Sequence, residues 1–258
     1  MLAPLSRHLV GNGLLEPLQS GYRSNHSMET ALLKLVNDLL CSADEGKVSV
    51  LALLDLSSAF DTIDHEVLLK RLHDTYGIEG TVLNWFHSYL SERTKSVSFC
   101  GCASRAHQLL YGVPQGSVLG PVLFTLYRQP LASVIRCHDI LYHFYADDTE
   151  LHSSCPPAQL NVMCYRLSFC MDDIKGWTIK NKLKLNEDKT EAMVLGNLSV
   201  LSGISRDSIV FAGCLIPFPS QVKSLGVTLD SALSMKQRIN TVCRACYFHI
   251  RYLKLESF

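Results

Sequence analysis

The sequence carries no net charge of either sign: its 258 residues hold 24 Lys or Arg and 24 Asp or Glu. A nucleic-acid binder usually shows a basic excess, so the total by itself argues against one. No apolar run approaches the ~20 residues that a membrane span needs. The longest, Val48 to Leu54 and Val118 to Tyr127, are short or broken. The start, MLAPLSRHLV, lacks the apolar core and cleavage site of a signal peptide. The ten cysteines follow no framework spacing, which excludes a disulfide scaffold. The thiols are therefore expected reduced, and the chain intracellular, in cytoplasm or nucleus. There is no internal repeat and no low-complexity tract.

What is present is enough for one large domain or two modest ones. Apolar residues make up 47% and charged residues 19%, a composition that buries a core and is not that of a disordered chain. Charge is uneven even though its total is nil. From Gln221 to Phe258 six Lys or Arg face Asp230 and Glu256, and from Lys175 to Lys189 five lysines face Glu187 and Asp188. Local distribution of this kind matters more to a partner than the sum.

Periodicity gives a coarse map. Leu32, Leu33, Leu35, Val36, Leu39 and Leu40 within Met28 to Leu40 predict a helix stripe, stopped at Gly46. Val48 to Leu54 predicts a buried strand that ends on Asp55. Helices are expected at Glu66 to Thr75 and Thr81 to Leu90. Lys95 to Cys100 alternates like a strand, with Gln108 to Tyr111 as partner. Gly112 to Gly120 is turn-rich, and one helix is expected from Val118 to Ile135, Pro121 being tolerated in its early turns. Ile140 to Ala146 and Thr149 to His152 predict two strands across a tight turn. A long helix follows Pro156 and Pro157 as far as Lys180. Strands are expected at Glu191 to Leu195 and Val222 to Leu229, and a closing helix at Ser234 to Leu253. Strands mixed with long helices, without regular βαβ alternation, give an α+β class.

Two segments concentrate carboxylates at the ends of apolar strands: LLDLSSAFDTIDH, Leu53 to His65, and YADD, Tyr145 to Asp148. An ionised carboxylate is costly to bury, so an Asp closing a buried strand needs a cation or hydrogen-bond partners. If the two strands share a sheet, Asp55 and Asp147 meet at its edge and repel unless divalent cations stand between them. Such an arrangement suits two-metal phosphoryl transfer with Mg²⁺, which takes few carboxylates and completes its shell with water and phosphate oxygens. The plainer reading of the same residues is also open. An Asp at a strand end can be a turn former or helix cap, Asp61 and Asp64 fit a helix start, and His65 fits a structural role.

Order and spacing of the motifs discriminate between these readings. The sequence resembles the reverse transcriptases of non-LTR (LINE-like) retrotransposons. SGYRSNHSMETALL, Ser20 to Leu33, resembles the family's fingers segment. LDLSSAFDTIDH resembles its motif A, GVPQGSVLGPVLF (Gly112 to Phe124) its motif B, YADD its motif C, and LKLNEDKTEAMVLG (Leu183 to Gly196) its motif D. LGVTLD, Leu225 to Asp230, resembles the strand that leads to the thumb. The resemblance implies a right-hand polymerase core with an antiparallel palm sheet packed on helices. Residues 1–47 would be partial fingers, 48–230 palm with inserted fingers elements, and 231–258 the start of the thumb.

The resemblance also implies roles. Asp55, Asp147 and Asp148 would bind two Mg²⁺ ions, with Mn²⁺ as a substitute. Asp148 is expected to serve less directly, because strand neighbours face opposite ways. Phe60 would exclude a ribose 2′-hydroxyl, or be a core residue. Gln115 and Gly116 would contact the incoming nucleotide and template, or form a bare turn. Lys189 would protonate the pyrophosphate leaving group or neutralise charge, and Arg23 would contact phosphate or template. The partners implied are an RNA template, a DNA primer and deoxynucleoside triphosphates, with no membrane. Cys243, Cys246 and His249 have zinc-like spacing but supply three ligands on one helix, so packing is the expectation. Compared with the family, the sequence begins after an Arg-Pro pair of the fingers, no endonuclease domain precedes it, no zinc knuckle follows, and the thumb amounts to about one helix. That implies a core cut short at both ends, with a catalytically inactive nucleic-acid-binding remnant as the alternative. A metal-dependent nuclease would need the same carboxylates but neither Phe60 nor PQGS.

Overall fold

The computed structural model describes residues 2–205 and 207–255; Met1 and residues 256–258, at the outer limits of the expected fingers and thumb, lie outside the described residues. The centre is a four-stranded antiparallel sheet. Its first strand, β1 (Val48–Ser57), is an inner one: residues Val48 to Ala52 are buried on both faces, as their unbroken apolar character requires. It outruns the expected strand and carries Asp55 two residues inside its end.

Helix α1 (Leu2–Gly11) precedes it, without an expectation from the sequence, and then comes α2 (Met28–Asp44). Ser27 caps α2 through a reciprocal box with Thr30. Its buried face is Ala31, Leu35, Leu39 and Ala43. Leu33, assigned to the stripe, is 71% exposed, because two helical steps turn it about 200° away from Leu35.

After β1 come α3 (His65–Asp74) and α4 (Gly80–Leu90). Asp64 caps α3 by accepting from the Val67 amide, and His65 bonds the Gly112 carbonyl at 2.8 Å. The expected strand pair beyond α4 is instead an exposed arm of two short rungs. β2 (Thr94–Lys95) pairs with β5 (His107–Gln108), and β3 (Ser98–Phe99) with β4 (Cys102–Ala103). Cys100 and Gly101 turn its tip, both with positive φ, the backbone of a type I′ hairpin.

The expected single helix to Ile135 is two, α5 (Gly120–Arg128) and α6 (Leu131–Arg136). Pro130 separates them, since it has no N–H and its ring clashes with a preceding turn. β6 (Leu141–Tyr145) and β7 (Asp148–Cys155) form the expected hairpin. The long helix α7 (Leu160–Lys180) follows a 3₁₀ turn at Pro157–Gln159. β8 (Lys184–Leu195) is more than twice the predicted length and is followed by the short α8 (Leu198–Leu201). A hairpin of β9 (Ser208–Phe211) and β10 (Cys214–Pro217) was not foreseen. The expected strand at Val222 to Leu229 is a hairpin too, β11 (Gln221–Ser224) and β12 (Val227–Asp230). Leu225 and Gly226 turn it with φ of 44° and 79°. Helix α9 (Lys236–Leu255) closes the chain.

The sheet order is β6-β7-β1-β8. One face, through Val50, Ala52 and Leu54, joins the main core with Phe124, Leu167 and Met171. The other, through Leu51 and Met193, packs on Leu35 and Leu39 of α2 and on Val222 and Leu229 of the β11–β12 hairpin. Among the described residues no helix is long and apolar enough to cross a membrane.

Candidate active site

The β1–β7 ladder runs in register to Leu54 opposite Thr149. The next residues on each strand are Asp55 and Asp148. Successive strand residues alternate faces, so Asp55 lies on the face of Leu51 and Leu53, and Asp148 on that of Glu150 and His152. Both carboxylates line one cleft of ≈ 220 Å³ together with Glu150, Lys189, Lys223 and Ser224. Burial, then Asp147, then Asp55 push the Asp148 carboxyl up to about 6. Asp148, expected to serve less directly, is thus the residue that shares the cleft with Asp55. Asp147 stands in the turn between β6 and β7 and does not line that cleft.

Lys189 reaches Asp55 through an irregularity. β8 pairs with β1 at Glu191 opposite Leu53 and again at Asn186 opposite Asp55. The four residues between them bulge out, and Lys189 folds back to put Nζ 3.2 Å from Asp55 Oδ2. The Asn186 side chain donates to the same oxygen at 3.3 Å. Lys175 pairs with Glu187 at 2.7 Å and so ties the bulge to α7.

The turn that carries Asp147 is conformationally costly. Ala146 has φ of 54°, a left-handed backbone that a residue with Cβ adopts only when its surroundings hold it there. Those surroundings are the chain from Leu18 to Tyr22. The Ser20 amide donates to the Phe144 carbonyl at 2.9 Å and the Phe144 amide to Leu18 at 2.8 Å. Gly21 then passes so near Ala146 that a Cβ there would lie 2.2 Å from the Ala146 nitrogen.

Phe60 is half-buried just beyond β1, its ring 5.0 Å from that of Phe124 and 6.4 Å from that of Tyr22. Both of its offered roles, wall and core, fit that position. Gly112 is required beside it, because a Cβ there would meet the Phe60 carbonyl at 2.9 Å and φ is 83°. Gln115 donates to Asp61 at 3.3 Å, so Asp61 orients the motif B turn where a helix start was expected. Gly116, with φ of 79° and open space around it, completes the turn. Ser117 receives the Tyr89 hydroxyl at 3.1 Å and the Gly120 amide at 2.9 Å. The Arg23 guanidinium donates to the carbonyls of Glu16, Pro17 and Gln19 and thereby shapes the loop ahead of Gly21.

Residues that sequence reasoning passed over complete the picture. Arg128 is buried directly beneath the Asp147–Asp148 backbone. An Arg closing an otherwise apolar helix was the available signal. Glu150, buried and bonded to Ser224, ties β7 to the β11–β12 hairpin. Burial pushes its carboxyl up to about 7.

The donors gathered here are oxygens, the set preferred by hard divalent cations over softer metals. Burial first, and the neighbouring carboxylates after it, hold the Asp148 carboxyl above its ordinary range, a cost that a bound cation would offset. Among the described residues no group of three His, Cys, Asp or Glu side chains is placed to hold a metal ion, and of the three expected ligands Asp55 and Asp148 share the cleft while Asp147 does not line it. Cys243, Cys246 and His249, expected to be packing residues, are instead exposed on α9.

Comparison with known proteins gives the family and the fold. The profile of the family described as "Reverse transcriptase (RNA-dependent DNA polymerase)" matches residues 1–229. The "Probable RNA-directed DNA polymerase from transposon BS" of Drosophila melanogaster is 28% identical over 248 residues, 93% of this chain and 26% of that protein. The "RNA-directed DNA polymerase from mobile element jockey" of the same organism is 28% identical over 88% of this chain and 24% of its own length. The chain therefore spans about a quarter of the length of these curated relatives. Among solved structures, apo telomerase from Candida tropicalis truncated from its C-terminal domain superposes with a TM-score of 0.56 at 16% identity, over 90% of this chain and 44% of that one. Telomerase of the same organism with a fragment of telomeric RNA gives 0.56 at 16% identity, over 92% and 38%.

Proposed function

The chain belongs to the reverse transcriptase (RNA-dependent DNA polymerase) family, and from that premise we propose that it is the catalytic core of a retrotransposon RNA-directed DNA polymerase. The fold is the α+β right-hand polymerase core, with the four-stranded sheet as palm. In the proposed division, residues 1–47 are partial fingers, 48–230 the palm and 231–258 the start of the thumb. The reaction joins the 3′-hydroxyl of a DNA primer to a deoxynucleoside triphosphate paired to an RNA template, and releases pyrophosphate.

The observation that carries this reading is the meeting of Asp55 and Asp148 at the end of the β1–β7 ladder, with Lys189 folded onto Asp55 from β8. Asp55, Asp147 and Asp148 would hold two Mg²⁺, or Mn²⁺ in their place. When bound, such ions supply charge stabilisation for the attacking and leaving oxygens. The chain's own residues do the rest. Lys189 offers a proton and positive charge to the departing pyrophosphate. Phe60 walls the sugar so that a 2′-hydroxyl has no room. Gln115, oriented by Asp61, and Gly116 present side chain and backbone to the nucleotide and template. Arg23, by fixing the loop before Gly21, sets the surface along which template or phosphate passes. Base pairing carries sequence, while the protein supplies position and charge.

The test is primer extension by the purified chain with an RNA template, a labelled DNA primer and Mg²⁺. Extension that disappears in Asp147→Asn, with the melting temperature kept, supports the reading. Shortening of the primer would assign a nuclease. Hybrid binding that survives Asp147→Asn without any incorporation by the wild type would leave a non-catalytic remnant.

A further inference from the structure

Arg128 is a charged side chain only 1% exposed, at the last position of α5. A guanidinium in that setting is costly unless it is paired and hydrogen-bonded, so its partners explain its presence. Nη1 donates to the carbonyl oxygens of Asp147 and Asp148, both at 3.0 Å, and to Thr149 Oγ1 at 3.2 Å. Nη2 donates to Gln19 Oε1 at 3.1 Å. The guanidinium lies 4.2 Å from the centroid of Phe144 and 5.6 Å from that of Phe124, and the Phe124 ring in turn rests against Phe60. One side chain therefore links the turn bearing two catalytic carboxylates, the loop beneath it and the aromatic layer under the sugar wall.

The backbone it grips is the part of the hairpin least able to hold itself. Ala146 is left-handed and strained, and the Arg128 fork bonds the carbonyls of the two residues that follow it. The planar fork of Arg matches two neighbouring oxygens, whereas Lys offers a point charge with three rotatable donors. The α5 helix behind Arg128 is nine residues long, a rod of about 13 Å whose first amide, Gly120, bonds Ser117 Oγ of the Pro114–Ser117 turn. The position of the metal-binding turn is thereby referred to the nucleotide-contact turn.

We propose that Arg128 is a positioning residue that sets, through the backbone of Asp147 and Asp148, the placement at which their carboxylates take up divalent cations beside Asp55. This rests on reading Asp55, Asp147 and Asp148 as the metal site. It assigns to Arg128 the role that partners behind the first ligands play in metal sites, where their loss weakens metal affinity about 10- to 100-fold. Arg128→Lys separates geometry from charge, because the positive charge stays while the fork is lost.

The experiment is Mn²⁺ titration of the full chain, followed by the electron paramagnetic resonance signal of free Mn²⁺, beside a thermal melt of each variant. The wild type binds Mn²⁺ and Asp147→Asn loses that binding, which establishes the metal site independently of Arg128. Arg128→Lys is then expected to bind about tenfold more weakly at a melting temperature close to that of the wild type. Arg128→Lys that melts and binds like the wild type overturns the proposal while leaving the metal site standing. If Arg128→Lys does not fold, Gln19→Met decides. It removes one of the four hydrogen bonds away from the carboxylates, with an expected loss of roughly threefold, and unchanged affinity there overturns the proposal. A wild type without Asp147-dependent Mn²⁺ binding sinks the metal-site reading and the role of Arg128 with it.

Discussion

Gly21→Ala is a small change with a large expected effect on the β6–β7 hairpin. A Cβ at position 21 falls 2.2 Å from the Ala146 nitrogen, 2.9 Å from its Cα and 3.2 Å from its Cβ. Carbon contacts are comfortable at about 3.5–4.0 Å, so the two backbones must part by roughly 1 Å. They cannot part freely. The Ser20 and Phe144 amides bond across the same junction, and Gln19 holds Arg128 on the far side. Overpacking costs about 1–3 kcal/mol, and each backbone hydrogen bond lost adds about 0.5–1.5 kcal/mol. With both of those bonds lost the expected destabilisation is about 2–6 kcal/mol. Gly176→Ala is the control: it lies within α7, with nothing within 4 Å of the added Cβ and no positive φ. It should stabilise by about 0.5–1 kcal/mol through helix propensity and backbone entropy. Urea unfolding followed by tryptophan fluorescence measures both. A Gly21→Ala midpoint equal to or above that of the wild type would refute the close packing of the Leu18–Tyr22 segment on the YADD turn.

Three further outcomes are expected. Phe60→Ala should raise ribonucleotide use relative to deoxyribonucleotide use about tenfold or more, read from paired incorporation rates; a fall in melting temperature with an unchanged ratio would make Phe60 a core residue only. Lys189→Met should leave the urea midpoint almost unmoved, because its side chain is 69% exposed and exposed ion pairs contribute about 0–1 kcal/mol. Single-turnover incorporation should nevertheless slow about a hundredfold, and an unaltered rate would remove Lys189 from the chemistry. His152 is pushed down to about 4, chiefly by burial and against the pull of Asp38, whose carboxylate stands 3.6 Å away, beyond hydrogen-bond reach. The folded state then binds fewer protons than the unfolded state between pH 4 and 6.5, so this residue's share of stability is full above that window and is lost as pH falls through it. His152→Leu should accordingly gain on the wild type by up to about 3 kcal/mol more at pH 4 than at pH 7.5, and parallel melts showing a constant difference would contradict the burial of a neutral ring.

Much of the site was legible because its chemistry is carried by residue types that apolar strands rarely tolerate. Asp55 closing Val48 to Leu54, and Asp147 with Asp148 between two predicted strands, announced carboxylates at a sheet edge, and the ladder brings the strands together. Lys189 was legible as a motif D residue, but its route to Asp55 was not: the bulge between Asn186 and Glu191 depends on the register with β1, which a single strand does not record. Asp148 was expected to serve less directly than Asp147, yet of the two it is Asp148 that lines the cleft with Asp55. The β11–β12 hairpin was missed because Leu225 adopts a backbone that its side chain disfavours. The break at Pro130 is one that its missing N–H makes readable from the sequence. Arg128 and Gly21 matter through contacts across 19 or more positions, which periodicity cannot register.

The most direct test of the central claim is an anomalous-scattering map from crystals of the chain soaked in Mn²⁺. The account predicts Mn²⁺ peaks coordinated by the carboxylates of Asp55 and of the Asp147–Asp148 turn, beneath Lys189. Mn²⁺ density only at other sites, with Asp55 and Asp147 contacting no ion at saturating concentration, would contradict it.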